Sequence, residues 1–275
     1  MSDSEWLAKR GIMMTDERIS AYGGFSVPVE FLEEAAAQIN RQGLPMHLGH
    51  DLARPLRVRN VRAYVHADEG VNQLWCNLEV HQDDVRWFET LPGMSVTMTL
   101  PIERDSRVGR GTRGGVTISA DHAWFDDDSL VAAESALTVD ERCDETISIN
   151  RAYQFGLVPD PQIYVDVAYA VLLSIGANVI WDGVKVLWRR RRTPEGSSAE
   201  VPTTVNWTIS TREHSVTAVI KTSDEATASK AIESLEHATA AVFGADERQA
   251  EGVHEGSSKT VIAWDADSST WTPPH

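Results

Sequence analysis

The chain has 275 residues, 42% of them hydrophobic and 24% charged, with 41 acidic side chains against 25 basic ones and a net charge of −16. That composition belongs to a folded globular chain and leaves no broad basic surface for nucleic-acid phosphates, so no nucleic-acid partner is expected. Cys76 and Cys143 are too few for a disulfide scaffold and too far apart for a CxxC zinc or redox site. The opening MSDSEWLAKRG has no apolar segment, which argues against a secretory signal. The longest uncharged stretch, 167–181, is 15 residues, short of the ~20 that span a bilayer. A cytoplasmic location without a membrane span is therefore expected. Composition shifts near 150, where Gly156, Pro159 and Pro161 punctuate the chain; this predicts domains at 1–150 and 160–275.

Ile19–Phe25 reads as a short strand ending in a glycine turn. Pro28 opens a helix over 28–42, with Phe31, Leu32, Ala35, Ala36 and Ile39 at helical spacing and Glu30, Glu33 and Glu34 in its early turns. A short apolar strand then delivers His50 to its end. A strand beginning at Leu56, alternation over 61–66, a turn at Asp68-Glu69-Gly70 and the run Leu74–Val80 predict a hairpin. A short helix follows Asp83-Asp84, and Met94–Leu100 is β-branched and strand-like. Arginines and glycines alternate in a basic loop over 107–115. Val116–Ala120 and His122–Phe125 read as strands, Asp126–Asp128 as a solvated turn, and 130–139 as a strand or helix. The first part is thus a β-rich α+β layout.

Motifs for several chemistries are missing: there is no GxSxG elbow, no phosphate-binding Gly-Lys loop and no HExxH. GRGTRGG at 109–115 reads as a flexible surface loop, and Cys76 as a small buried hydrophobe. His47 and His50, three apart, fit a metal pair, a catalytic base or plain structure. No cofactor or metal is expected.

What raises His50 and Ser95 above their background is order. A strand-end His50-Asp51 precedes Pro55, then a hairpin, a short helix leaving through Pro92-Gly93, and Ser95 on a β-branched strand. The pieces Gly24-Phe25, Leu48-Gly49-His50-Asp51, Gln73-Leu74-Trp75 and Gly93-Met94-Ser95-Val96 resemble, over about 18–125, the prohead (capsid maturation) serine proteases of tailed phages, relatives of the herpesvirus assembly proteases. Leu56-Arg57 and the residues after Ser95 depart from the family pattern. The resemblance implies a protease-like barrel with flanking helices and a serine endopeptidase. Ser95 would be the nucleophile and His50 its base. A second histidine would orient that base, and His122 fits, with Glu79, His81 and Asp51 as rivals. Oxyanion donors would come from the 107–115 loop.

In the second part, Ile163–Trp188 reads as one long helix or two short ones, closed by Arg189–Arg192. Those four arginines suit a helix C-terminus, a membrane anchor or an anionic partner. Two alternating strands (205–210 and 216–221), a helix stopping at Gly244, a further strand at 261–264 and a frayed tail from 271 complete a helix–ββα module. This weakly resembles the small effector-associated modules of bacterial defence operons. It implies a protease of a defence or prophage-derived system, a protein substrate, and a partner or self-association surface at 160–275. On that view residues 1–158 fold alone. The alternative is a non-catalytic interaction protein that keeps the protease fold.

Overall fold

The computed structural model describes residues 5–42, 47–48, 51–90, 96–101, 115–137, 147–155, 160–195, 197–198, 200–249 and 258–273. It is a mixed α+β chain. By contacts it divides into two units, Met1–Met98 with Tyr153–Pro159, and Thr99–Ala152 with Asp160–His275. The division falls elsewhere than the expected boundary at 150.

In the first unit the N-terminal segment forms β1 (Trp6–Thr15), which its charged residues had hidden. The strand expected over 19–25 is instead a single bridge between Ile19 and Phe25 enclosing a 3-10 turn, Ser20–Tyr22. Gly23 and Gly24, at φ 66 and 83, reverse the chain there in a conformation that a side chain disfavours. Helix α1 (Val29–Gln42) buries Leu32, Ala36 and Ile39, one stripe of its surface. After β2 (His47–Leu48) and β3 (Asp51–Pro55), β4 (Val58–Asp68) and β5 (Val71–His81) form the expected hairpin. Its two turn residues, Glu69 and Gly70, both have positive φ, the conformation that a two-residue hairpin loop requires. The strand order is β1-β5-β4. Helix α1 packs on β4 and β5, and the Asn40 side chain acts as a strand surrogate, donating to Ala63 O and accepting from Ala63 N. His81 then caps α2 (Gln82–Phe88).

The second unit holds most of an eight-stranded sheet. Its elements are β6 (Val96–Pro101), β7 (Val116–Asp121), α3 (Asp127–Ala136), β8 (Ile147–Phe155), β9 (Gln162–Ala168), α4 (Tyr169–Ile175), α5 (Ala177–Arg190), β10 (Thr203–Ser210), β11 (His214–Thr222), α6 (Glu225–Gln249), β12 (Ser258–Asp265) and β13 (Thr270–Thr272). The order is β13-β12-β11-β10-β9-β7-β8-β6. Three times a strand passes through helix to a parallel neighbour: β7 to β8, β9 to β10, and β11 to β12. Register aligns one apolar row across five strands, Ile118, Val165, Trp207, Ala218 and Ile262, all buried. Helix α5 lies against α3 and α6 and buries Ala177, Ile180, Trp181, Val184 and Leu187 at helical spacing.

Several expectations change here. Residues 163–168 are strand, burying Ile163, Val165 and Val167 on one face and leaving Tyr164 and Asp166 on the more open one; the apolar run that continues into the next helix does not by itself distinguish strand from helix. His122–Phe125 is a turn, and Asp126–Asp128 starts a helix. Gly244 lies inside α6, and Trp271 belongs to β13, where its indole N–H donates to Ser234 Oγ. The segment 160–275 is not a separate helix–ββα module, since β9 pairs with β7 over Val116–Ala120.

Candidate functional site

A cluster of ionisable groups forms where β7 ends. Asp121 is fully buried. Its carboxylate accepts the Ala123 N–H, and its carbonyl accepts those of Trp124 and Phe125. This tight turn buries Ala123, Trp124 and Phe125 and leaves His122 half-buried. The His122 N–H continues the ladder to Ala152 O of β8 at 2.8 Å. Asp126 then caps α3, accepting from Ser129 N at 2.9 Å and Ser129 Oγ at 2.6 Å. Asp127 sits in the first helical turn, where a negative charge complements the helix dipole.

His122 Nε2 lies 3.1 Å from Asp127 Oδ1. Arg151, on β8 opposite Ala120, grips the same carboxylate with two N–H groups, both at 2.7 Å. Arg192 completes the cluster from the far end of α5, donating to His122 O at 2.7 Å and Ala123 O at 2.8 Å, while its backbone N–H donates to Trp124 O. The Arg191 guanidinium lies 5.1 Å from the Trp124 ring centre and donates to Val201 O and Thr203 Oγ1.

Burial pushes the His122 imidazole below its ordinary range, and Arg151 and Arg192 act in the same direction, against the opposing pull of Asp127. The Arg151 fork holds Asp127 below the usual carboxylate range. Both directions favour a neutral imidazole facing an ionised carboxylate. The carboxylate accepts, so Nε2 carries the hydrogen and Nδ1 the lone pair, an assignment drawn from the hydrogen bond. Such a pair orients a ring and can relay a proton.

Of the three predicted catalytic residues, His122 is in this cluster, in the second unit. His50 and Ser95 lie outside the described residues, as does the 107–114 part of the arginine-glycine loop. The backbone of His47 belongs to β2. Among the rivals, Glu79 accepts from Arg59 at 2.6 Å, and His81 caps α2 while packing edge-on to Trp6. Burial raises the Cys76 thiol to about 11, which suits a small hydrophobe. No group of three or more metal-ligating side chains occurs among the described residues. Sequence reasoning missed Asp127, Arg151 and Arg192. Asp126 followed three residues later by Ser129, ahead of Leu130 and Val131, was the available signal for a helix start. No protein-family model, curated protein or solved structure matches the chain.

Proposed function

We propose that the chain is a serine endopeptidase of the prohead-protease type. In this reading Ser95 attacks the peptide carbonyl, His50 takes its proton and returns it to the leaving amine, and His122 orients His50. The protease-like barrel belongs to the same proposal. So do a protein substrate, partner binding or self-association through 160–275, a cytoplasmic location, and a role in a bacterial defence or prophage-derived system. One observation supports the reading most: the His122 ring is held by Asp127, which is itself gripped by both N–H groups of the Arg151 fork. A third triad member needs that fixity, since it acts by setting the tautomer and orientation of its neighbour.

A fluorophosphonate probe tests this directly. The native chain is expected to label, and Ser95→Ala and His50→Ala are each expected to lose labelling and to lower cleavage at least about a thousandfold, with no further loss in the double variant. Undiminished cleavage in Ser95→Ala sinks the proposal.

A second reading, a non-catalytic interaction protein, draws on the same cluster. Arg151 occupies both oxygens of Asp127, and Arg192 grips two successive carbonyls. These are the contacts of a latch holding β7, α3 and α5 together. An unlabelled native chain with a normal melt favours this reading.

A further inference from the structure

The three-stranded sheet of the first unit has two unlike faces. One carries Leu74, Cys76, Leu78 and Val80, all buried. On the other, cross-strand register makes three rows: Arg59-Glu79-Ala8, Arg62-Asn77-Arg10 and Tyr64-Trp75-Ile12. Successive rows on one face are about 6.8 Å apart. Tyr64, Arg62, Arg10 and Asn77 are exposed.

This face is built, not merely left bare. The Arg59 guanidinium lies 4.6 Å from the Trp6 ring centre and donates to Glu79. Arg10 lies 5.6 Å from the Trp75 ring centre, and the Trp75 indole N–H donates to Gln73 Oε1 at 2.8 Å, which fixes the ring plane. Between the two arginine–tryptophan pairs the small Ala8 leaves an open concavity of about 500 Å³, lined also by Arg10, Asn60, Asn77 and Glu79. Asn60 reaches it because β4 bulges there. The register slips between Arg59 and Arg62, and Asn60 stands at φ 53.

We propose that this face binds single-stranded nucleic acid. The proposal is independent of the catalytic reading. Three arginines against one glutamate make the face cationic in a chain of net charge −16. At 0.15 M salt acidic groups farther than about 8 Å are screened, so the local charges govern the encounter. Planar guanidinium forks match phosphates. The Tyr64-Trp75 pair offers rings to unstacked bases, and the carboxamides of Asn60 and Asn77 can both donate to and accept from base edges. An acidic peptide would use the arginines but leave the rings and amides idle. A duplex hides the base faces that the rings address. The expectation of no nucleic-acid partner rested on global charge, which says nothing against three arginines on one small face.

Fluorescence anisotropy of a labelled eight-nucleotide single strand with the full chain tests the proposal. Binding is expected near 0.1 M salt. The slope of log affinity against log salt should be no steeper than about −1.4, from two phosphate contacts, Arg10 and Arg62, at about −0.7 each, because Arg59 is already paired with Glu79. Arg10→Ala and Arg62→Ala should each flatten it by about 0.7, Arg62→Lys should retain it, and Tyr64→Leu should weaken binding at least about fivefold without changing it. Arg41→Ala, an exposed charge on α1, should change nothing. Thermal melts of the variants guard against misfolding. The proposal is overturned by an absence of binding at ~100 μM protein, by equal affinity for the blunt duplex, by indifference to Arg10 and Arg62, or by an oligoglutamate that competes as well as the strand.

Discussion

The two units use the same side chains to opposite ends. In the first, a three-stranded sheet has one helix on one face, and its other face keeps arginines against tryptophan rings at the water boundary. In the second, Arg151, Arg191 and Arg192 are turned onto carboxylates, carbonyls and a hydroxyl of their own chain. Even the sheet's polar residues are inward-bonded: Gln162 Oε1 accepts from Tyr164 O–H and from Asn206 Nδ2. What separates the two sets of arginines is what they hold rather than burial: the Arg192 side chain is 46% exposed against 34% for that of Arg59, yet it grips two successive backbone carbonyls of a turn. The difference sets an open arginine–ring surface in the first unit against arginine ties between a turn, a strand and a helix end in the second.

The strongest way to break this comparison is to cut the second unit. Residues 1–158 retain β7 but lose β9, so Val116, Ile118 and Ala120, each 0% exposed, would meet water together with Trp124. Losing that cover removes the main force holding the strand in place. The fragment is expected to aggregate or melt without cooperativity. A soluble fragment with a sharp calorimetric transition would show that the second unit is an accessory after all.

A smaller effect is expected at Gly183, on the α5 face toward α3. A Cβ built there would lie 2.7 Å from both Cγ and Cδ2 of Leu137. Alanine normally favours a helix over glycine by about 1 kcal/mol, but this overpacking costs about 1–3 kcal/mol. Gly183→Ala should therefore lower the denaturation midpoint. Leu137→Ala should absorb the added methyl, giving a double variant more stable than the sum of the single changes predicts. Strict additivity would place the helix contact elsewhere.

Much of the local structure was legible in the residues. The hairpin at 58–81, helix 29–42 and the strands 205–210 and 216–221 follow from period-two or helical spacing of apolar side chains. What failed has physical causes. β9 does alternate, with Ile163, Val165 and Val167 buried and Tyr164 and Asp166 on the more open face, but it runs directly into the apolar helix Tyr169–Ile175 and so merged with the helices after it. His122–Phe125 is apolar because a tight turn is buried, which imitates a strand. The cluster itself brings together positions 122, 127, 151 and 192, and pairing over such separations leaves no mark in a single sequence. Only the capping pattern at Asp126–Ser129 was local enough to be read.

The last test asks whether His122 and Asp127 behave as one unit. In the unfolded chain a histidine titrates near about 6.5, whereas folding depresses His122 through burial and the nearby arginines. The folded state therefore binds fewer protons than the unfolded state once pH drops below about 6.5, and stability falls with pH from there down through the depressed folded value. Asp127 also titrates lower when folded, so its contribution is complete above about 3.9 and is lost below it. Asp127→Asn removes the group that lifts His122, so the imidazole should titrate lower still, as read from its ring-proton shift by NMR. With the Asp127 side chain 47% exposed, the stability cost at pH 7 should be only about 1 kcal/mol, because solvent screens the pair. The loss of stability between pH 7 and pH 5 should be steeper in the variant than in the native chain. A His122 value at or above its ordinary range, or one that rises in Asp127→Asn, would mean that burial does not govern this imidazole and that the pair is not the coupled unit which its geometry describes.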